Sequence, residues 1–257
     1  MSIKGINITY KVNDNTILDN VSLEIKENEI ISVVGPNGAG KSTFINILAG
    51  DYEPHNGHVE YDGNTLKNIS LQERAFCRSV MSQSQPLIFD YSVKEVIEMG
   101  WIDRGSLVYV DNLKQIILKI AEECFISNLL SNKFRTLSGG EQRRVHFART
   151  LIQLWRPSGS KEPRYMFLDE PTSNLDLFYE LKILDLVKNK SKEGFGCLII
   201  LHDLNLAAKY SDRIALFHQG QIIKVGVPEE IMSNKILKEV YKLSFNISKN
   251  PFRIQYY

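Results

Sequence analysis

Residues 35–43, Gly-Pro-Asn-Gly-Ala-Gly-Lys-Ser-Thr, fill every fixed position of G-x-x-x-x-G-K-[ST], a loop whose backbone amides cradle phosphate oxygens. Such a loop works between a buried strand and a helix, so it points the chain towards an α/β fold built on a parallel sheet. The flanks agree. Glu29-Ile-Ile-Ser-Val-Val34 reads as a buried strand. Thr43–Ala49 reads as a helix with Phe44, Ile47 and Leu48 on one face and Gly50 as its stop. Phosphates would then sit at a helix N-terminus. The whole loop, Gly35, Pro36, Asn37, Gly38, Ala39, Gly40, Lys41, Ser42 and Thr43, is the candidate binding segment. Its glycines allow the tight turn, Lys41 offers a point charge to β- and γ-phosphates, and Ser42 offers a hydroxyl to Mg²⁺.

The chain's 257 residues suit one large α/β domain, or one domain with a sizeable insert. A hydrophobic content of 43% supports a core, and no apolar run is long enough to span a bilayer. The opening Met-Ser-Ile-Lys-Gly-Ile lacks the features of a signal peptide, so a cytosolic chain is expected. A net charge of +1 gives no general push towards nucleic acid. Cys77, Cys124 and Cys197 fit neither a disulfide framework nor a zinc site and are expected to be reduced and mostly buried.

The first sixty-odd residues read as β-rich. Ile6–Tyr10 and Val21–Ile25 alternate apolar and polar, and Asp62-Gly63 is a hairpin turn after His58–Tyr61. From Ser92 to Trp155 the periodicity becomes helical, as in Val93, Val96, Ile97 and Leu113, Ile116, Ile117, Ile120. The next buried strand is Tyr165–Leu168. A crossover needs only about a dozen residues, so a helical subdomain at about 91–155 is expected inside a core made of 1–90 and 156–257. A polar loop, Leu154–Pro163, leads into that strand. Cys197–Leu201 is another buried strand, followed by a hairpin-like pair, Ile214–Phe217 and Gln221–Val225. A short helix starting near Pro228 is expected to end the tail.

Asp169 and Glu170 follow Tyr165-Met-Phe-Leu168 directly. Ligands of open parallel sheets bind beyond the C-terminal strand ends. There Asp169 can hold Mg²⁺, and Glu170 can accept a proton from a water attacking a γ-phosphate. Leu137-Ser-Gly-Gly-Glu141 has capping-box spacing between Ser138 and Glu141 ahead of a helix carrying Val145, Ala148, Leu151, Ile152 and Trp155. A capping box alone does not require Gly139 and Gly140. Glycines there expose amides at a positive helix end, a second anion-binding surface in a chain with one phosphate loop. The adjacent Gln142-Arg-Arg144 reads as a solvated helix face.

Together these segments resemble the ATP-binding cassette ATPases over nearly the whole chain, in that family's motif order. The resemblance implies the family's fold: a P-loop core, an N-terminal antiparallel β subdomain and an inserted helical subdomain. It makes Tyr10 the aromatic that stacks on adenine and Gly35–Thr43 the Walker A loop. Gln83, after the short strand Arg78–Met81, becomes the Q-loop glutamine, near nucleotide and Mg²⁺. Asp169 and Glu170 become the Walker B aspartate and catalytic glutamate, Ser173–Asp176 the D-loop, and His202 the switch histidine. Ser82 stands for a frequent proline, Asn174 for alanine and Arg143 for a common glutamine. The implied cofactors are ATP and Mg²⁺. The implied assembly is a head-to-tail homodimer in which Ser138, Gly139, Gly140 and Glu141 of one subunit, with Asp176 near the interface, complete the partner's site. Lys41, Glu170 and His202 carry the catalysis in that scheme.

Val145–Trp155, the polar loop and Pro163–Thr172 further resemble the ATPase subunits of bacterial haem importers, relatives of the ferric-siderophore and vitamin B12 importers. That resemblance implies two membrane permease subunits, an indirect periplasmic binding protein and a peripheral place on the cytoplasmic face of the inner membrane. An importer for siderophore or B12 and a soluble cassette ATPase acting on ribosomes or DNA stay open. A scaffold with a dead nucleotide site is disfavoured by the intact Lys41, Asp169, Glu170 and His202, and a GTPase by the lack of Asn-Lys-x-Asp.

Overall fold

The computed structural model describes residues 1–83, 87–101, 112–157, 159–249 and 252–256. Residues 102–111 of the expected helical stretch and Ser158 of the polar loop lie outside the described residues. The chain opens on β1 (Ser2–Val12) and β2 (Asn15–Lys26), joined antiparallel; β4 (Asn56–Tyr61) and the short β5 (Asn64–Thr65) complete a sheet of order β2-β1-β4-β5. Asp62 and Gly63, at φ of 50° and 79°, make the β4–β5 turn with the positive backbone angles that a tight hairpin favours. The alternation expected along β1 is broken at Asn7, whose φ is 50°, where the register with both neighbours shifts.

A second sheet contains β3 (Glu29–Val34), β6 (Arg78–Met81), β7 (Arg164–Asp169), β8 (Phe195–Ile200), β9 (Arg213–His218) and β10 (Gln221–Gly226) in the order β10-β9-β3-β8-β7-β6. All its pairings are parallel except the β9–β10 hairpin. Its central strands are buried on both faces, and alternate residues enter different cores. Ile31, Val33, Phe167, Leu198 and Phe217 join the antiparallel sheet and α1 (Lys41–Ala49) in one core. Val34, Met166, Leu168, Ile199 and Leu216 join the helices of the opposite face in the other.

Between β6 and β7 lie α3 (Val93–Glu98), α4 (Leu113–Glu123) and α5 (Gly139–Gln153), preceded by α2 (Leu71–Cys77). The periodic residues Val93, Val96, Ile97, Ile116, Ile117 and Ile120 are all buried, on the faces the spacing predicts. Ser70, Ser92 and Ser138 each start their helix with a complete capping box. After β7 come α6 (Leu177–Lys192) and α7 (Leu204–Tyr210). The tail departs from expectation. α8 (Pro228–Ile231) is a single turn, followed by α9 (Asn234–Tyr241) and an antiparallel hairpin of β11 (Phe245–Lys249) and β12 (Phe252–Tyr256). Leu237, Val240, Phe245 and Ile254 bury themselves in the helical-face core, so the tail is part of the fold. Among the described residues no helix is long and apolar enough to cross a membrane.

Candidate active site

The phosphate loop turns between β3 and α1 with Gly35 at φ 146°; a Cβ there would lie 2.1 Å from the Phe217 carbonyl oxygen, so only glycine fits. The helix begins at Lys41, two residues earlier than expected. Lys41 is buried, and its Nζ donates to the carbonyls of Gly35 and Pro36 at 2.8 Å each. Burial lowers the Lys41 pKa, opposed by the nearby Glu170 and Asp169 carboxylates. One contact has no counterpart in the sequence analysis. Tyr241 of α9 reaches the loop, its phenol pushed up to about 12 by burial against a backbone hydrogen bond from Gly35.

Asp169 closes β7 and is 5% exposed. The Ser42 hydroxyl hydrogen-bonds its carboxylate, yet Oδ1 is buried without a partner. Burial raises the Asp169 pKa, with the Ser42 bond pulling the other way. A buried acid oxygen left unpaired beside a hydroxyl suits a hard, oxygen-seeking divalent cation. Among the described residues no cluster of three or more His, Cys, Asp or Glu side chains offers a rival metal site.

Glu170 stands next, in the left-handed region at φ 50°. Its carboxylate joins two distant loops: Gln83 Nε2 donates to Oε2 at 3.0 Å, and His202 Nε2 lies 2.5 Å from Oε1. His202 sits two residues beyond β8 and is half exposed. The three sequence candidates Gln83, Glu170 and His202 therefore meet at one carboxylate, beside Asp169 and Ser42.

Ser138 caps α5 as expected: its hydroxyl and amide each donate to Glu141 Oε2 at 2.8 Å. The serine bond helps hold the Glu141 pKa below its ordinary value. The two glycines differ. A Cβ on Gly140 would meet the Asn174 carbonyl at 3.0 Å, so the loop through Asn174 packs on it. A Cβ on Gly139 would meet only the Asn174 Cβ, at 3.9 Å, so nothing described in this chain requires glycine there. No described hydrogen bond joins residues 138–141 to the phosphate loop. Helix α1 and helix α5 pack on opposite faces of the central sheet.

Asp176 caps α6 by accepting from the Tyr179 amide at 3.1 Å. Tyr10 pairs across β1–β2 with Leu18, which packs beneath Gly40. Its ring lies parallel to Tyr52, with centroids 5.6 Å apart, and edge-on to His55. The solvated face expected at 142–144 is not found. Arg143 and Arg144 are 7% and 5% exposed. Arg144 lies over the Tyr179 ring and donates to the Phe125 carbonyl. Arg143 donates to carbonyls beside the site. Helical spacing places both near the start of an apolar helix, but only the tertiary contacts reveal what covers them.

Residues 18–173 match the family model described as ABC transporter. The chain belongs to the ABC transporter family. The cassette is 38% identical over 250 residues to the hemin import ATP-binding protein HmuV of Escherichia coli O157:H7, covering 97% of this chain and 95% of that protein. It is 36% identical over 239 residues to the hemin import ATP-binding protein HmuV of Rhodopseudomonas palustris strain BisA53, covering 93% and 87%. Among solved structures, the dimeric ABC transporter cassette MJ0796 aligns with a TM-score of 0.77 at 28% identity, covering 88% of this chain and 98% of that one. A post-hydrolysis dimer of the same cassette bound to ADP and Pi aligns equally well, at 0.77 and 28%, over the same shares.

Proposed function

We propose that this chain is the ATP-hydrolysing subunit of a haem importer. The observation that carries the ATPase reading is the meeting of Gln83 and His202 on the Glu170 carboxylate, one residue beyond the buried Asp169. ATP phosphates lie along the amides of 35–43, and Lys41 exchanges its two carbonyl partners for phosphate oxygens. Tyr10 supports the adenine. The oxygen of an attacking water bonds to the γ-phosphorus, the bond to the ADP oxygen breaks, and the water proton passes to Glu170. His202 keeps Glu170 aimed and can turn to the γ-phosphate, and Gln83 holds the other carboxylate oxygen. Ser42 and Asp169, with Gln83 close by, are the residues that would hold Mg²⁺, which supplies charge neutralisation on the phosphates when bound.

Two copies associate head to tail. The Ser138–Glu141 turn of each presents its amides to the nucleotide of the other, which accounts for a Gly139 that its own chain does not need. The D-loop through Asp176 lies at the same interface. The cassette docks on two permease subunits at the cytoplasmic face of the inner membrane and answers indirectly to a periplasmic binding protein. Haem is favoured over siderophore and B12 by relatives that span nearly the whole chain and are named for hemin import.

The test is reconstitution with the permease in liposomes, comparing haem, a ferric siderophore and vitamin B12. Haem-loaded binding protein is expected to stimulate ATP turnover and uptake. Uptake of the siderophore complex without haem uptake would overturn the haem assignment and leave the importer reading standing.

A further inference from the structure

Arg143, expected on a solvated helix face, is instead buried and uses all five of its N–H donors. Nε donates to the Glu170 carbonyl at 3.1 Å. Nη1 donates to the Ser82 and Gln83 carbonyls at 3.2 and 2.8 Å. Nη2 donates to the Asp169 and Glu170 carbonyls. One side chain on α5 thus grips the backbone on both sides of the Gln83–Glu170 hydrogen bond.

Arg143 as a whole is 7% exposed. Burial lowers its pKa, and the charges of Asp169 and Glu170 oppose that shift. A buried charge costs stability unless it is well hydrogen-bonded. Here the fork geometry matters, because a lysine has one donor centre and cannot reach four carbonyls from two loops. The grip also falls on a residue in an unfavoured backbone conformation. Glu170 holds φ at 50°, a left-handed conformation that a non-glycine residue keeps only when its surroundings fix it.

We propose that Arg143 is a positioning residue for hydrolysis: it locks Glu170 and Gln83 to the signature helix, so that the helix facing the partner's nucleotide sets the aim of the base. The inference rests on the reading of Glu170 as general base. It gives the departure from the family's common glutamine a consequence, since an amide has two N–H donors and cannot reproduce the five-bond clamp.

The experiment measures steady-state hydrolysis and fluorescent-ATP binding for Arg143→Ala, Arg143→Lys and Arg143→Gln, alone and with Glu170→Gln. In Arg143→Ala, kcat is expected to fall about 10²-fold, the scale of a misplaced catalytic group, with KM for ATP changed by less than about threefold. Arg143→Lys should stay slow. Added guanidinium should restore part of the rate of Arg143→Ala, and ammonium should not. The double variant with Glu170→Gln should be no slower than Glu170→Gln alone, because Arg143 acts through that carboxylate. A double variant slowed by the full Arg143 factor overturns the proposal, as does loss of ATP binding in step with kcat. If Arg143→Ala does not fold, Arg143→Gln carries the same comparisons, and its turnover at the wild-type rate overturns the proposal. A slow Glu170→Gln beside fast Arg143 variants sinks this inference alone. A fast Glu170→Gln sinks the base reading itself.

Discussion

Glu170→Gln keeps the shape of the side chain and removes its basicity. ATP should still bind, hydrolysis should slow by about 10²–10⁴-fold, and gel filtration with ATP should show a trapped dimer. Near wild-type turnover would rule out the base. Asp169 carries a different expectation, linked to pH. Burial raises its pKa, so the folded chain holds that proton more tightly than the unfolded chain. The associated stability is complete at low pH and is lost as pH rises through the raised pKa. At neutral pH the ionised carboxylate therefore burdens the nucleotide-free fold. Asp169→Asn should raise the nucleotide-free Tm by about 2–4 °C for each kcal/mol relieved, while losing the added stabilisation from Mg²⁺ and ATP. A lower Tm without nucleotide contradicts this account. The acid pair was legible because it ends an apolar strand. Arg143 was not, because an arginine on a helix looks the same whether it meets water or a row of carbonyls.

At the scale of elements, Ser92 and Ser138 make the same capping box, and this permits a controlled comparison. Each serine-to-alanine change should cost about 1 kcal/mol of stability, read from urea melts. Only Ser138→Ala should also weaken ATP-driven dimerisation, measured by light scattering; equal effects would reduce Ser138 to a cap. Most central strands and helices α1, α4 and α5 could be read from periodicity, since each turns one face or both to a core, whereas α6 has no counterpart among the expected elements. The tail could have been read further. Phe245-Asn-Ile-Ser and Phe252-Arg-Ile-Gln alternate as hairpin strands do, although each alternation is only two apolar residues long. The hairpin is fastened to α7, where Asn205 Nδ2 donates to the Ile254 carbonyl at 3.2 Å and the Ile254 amide donates to Asn205 Oδ1 at 2.7 Å. Asn205→Ala should cost about 1–3 kcal/mol and speed amide exchange across 252–256. Unchanged exchange would detach the hairpin from that anchor.

At the scale of the whole molecule, the central sheet keeps the phosphate-loop helix and the signature helix in separate cores. No described hydrogen bond bridges the loop and the signature turn. That arrangement has a genetic consequence. A Lys41→Ala copy spoils its own loop but still offers a sound signature turn. A Ser138→Arg copy does the reverse. If two copies pair head to tail as proposed, either allele alone should leave cells unable to import, since every composite site then contains one damaged half. Expressed together, the two kinds of chain pair at random, and each mixed dimer regains one complete site, about a quarter of all sites in the population. ATPase activity should reappear in a mixture of two preparations that are each inert. A mixture as inert as its components would place both halves of the site on one chain. Two recessive lesions in a single gene would then complement, as lesions in different genes ordinarily do.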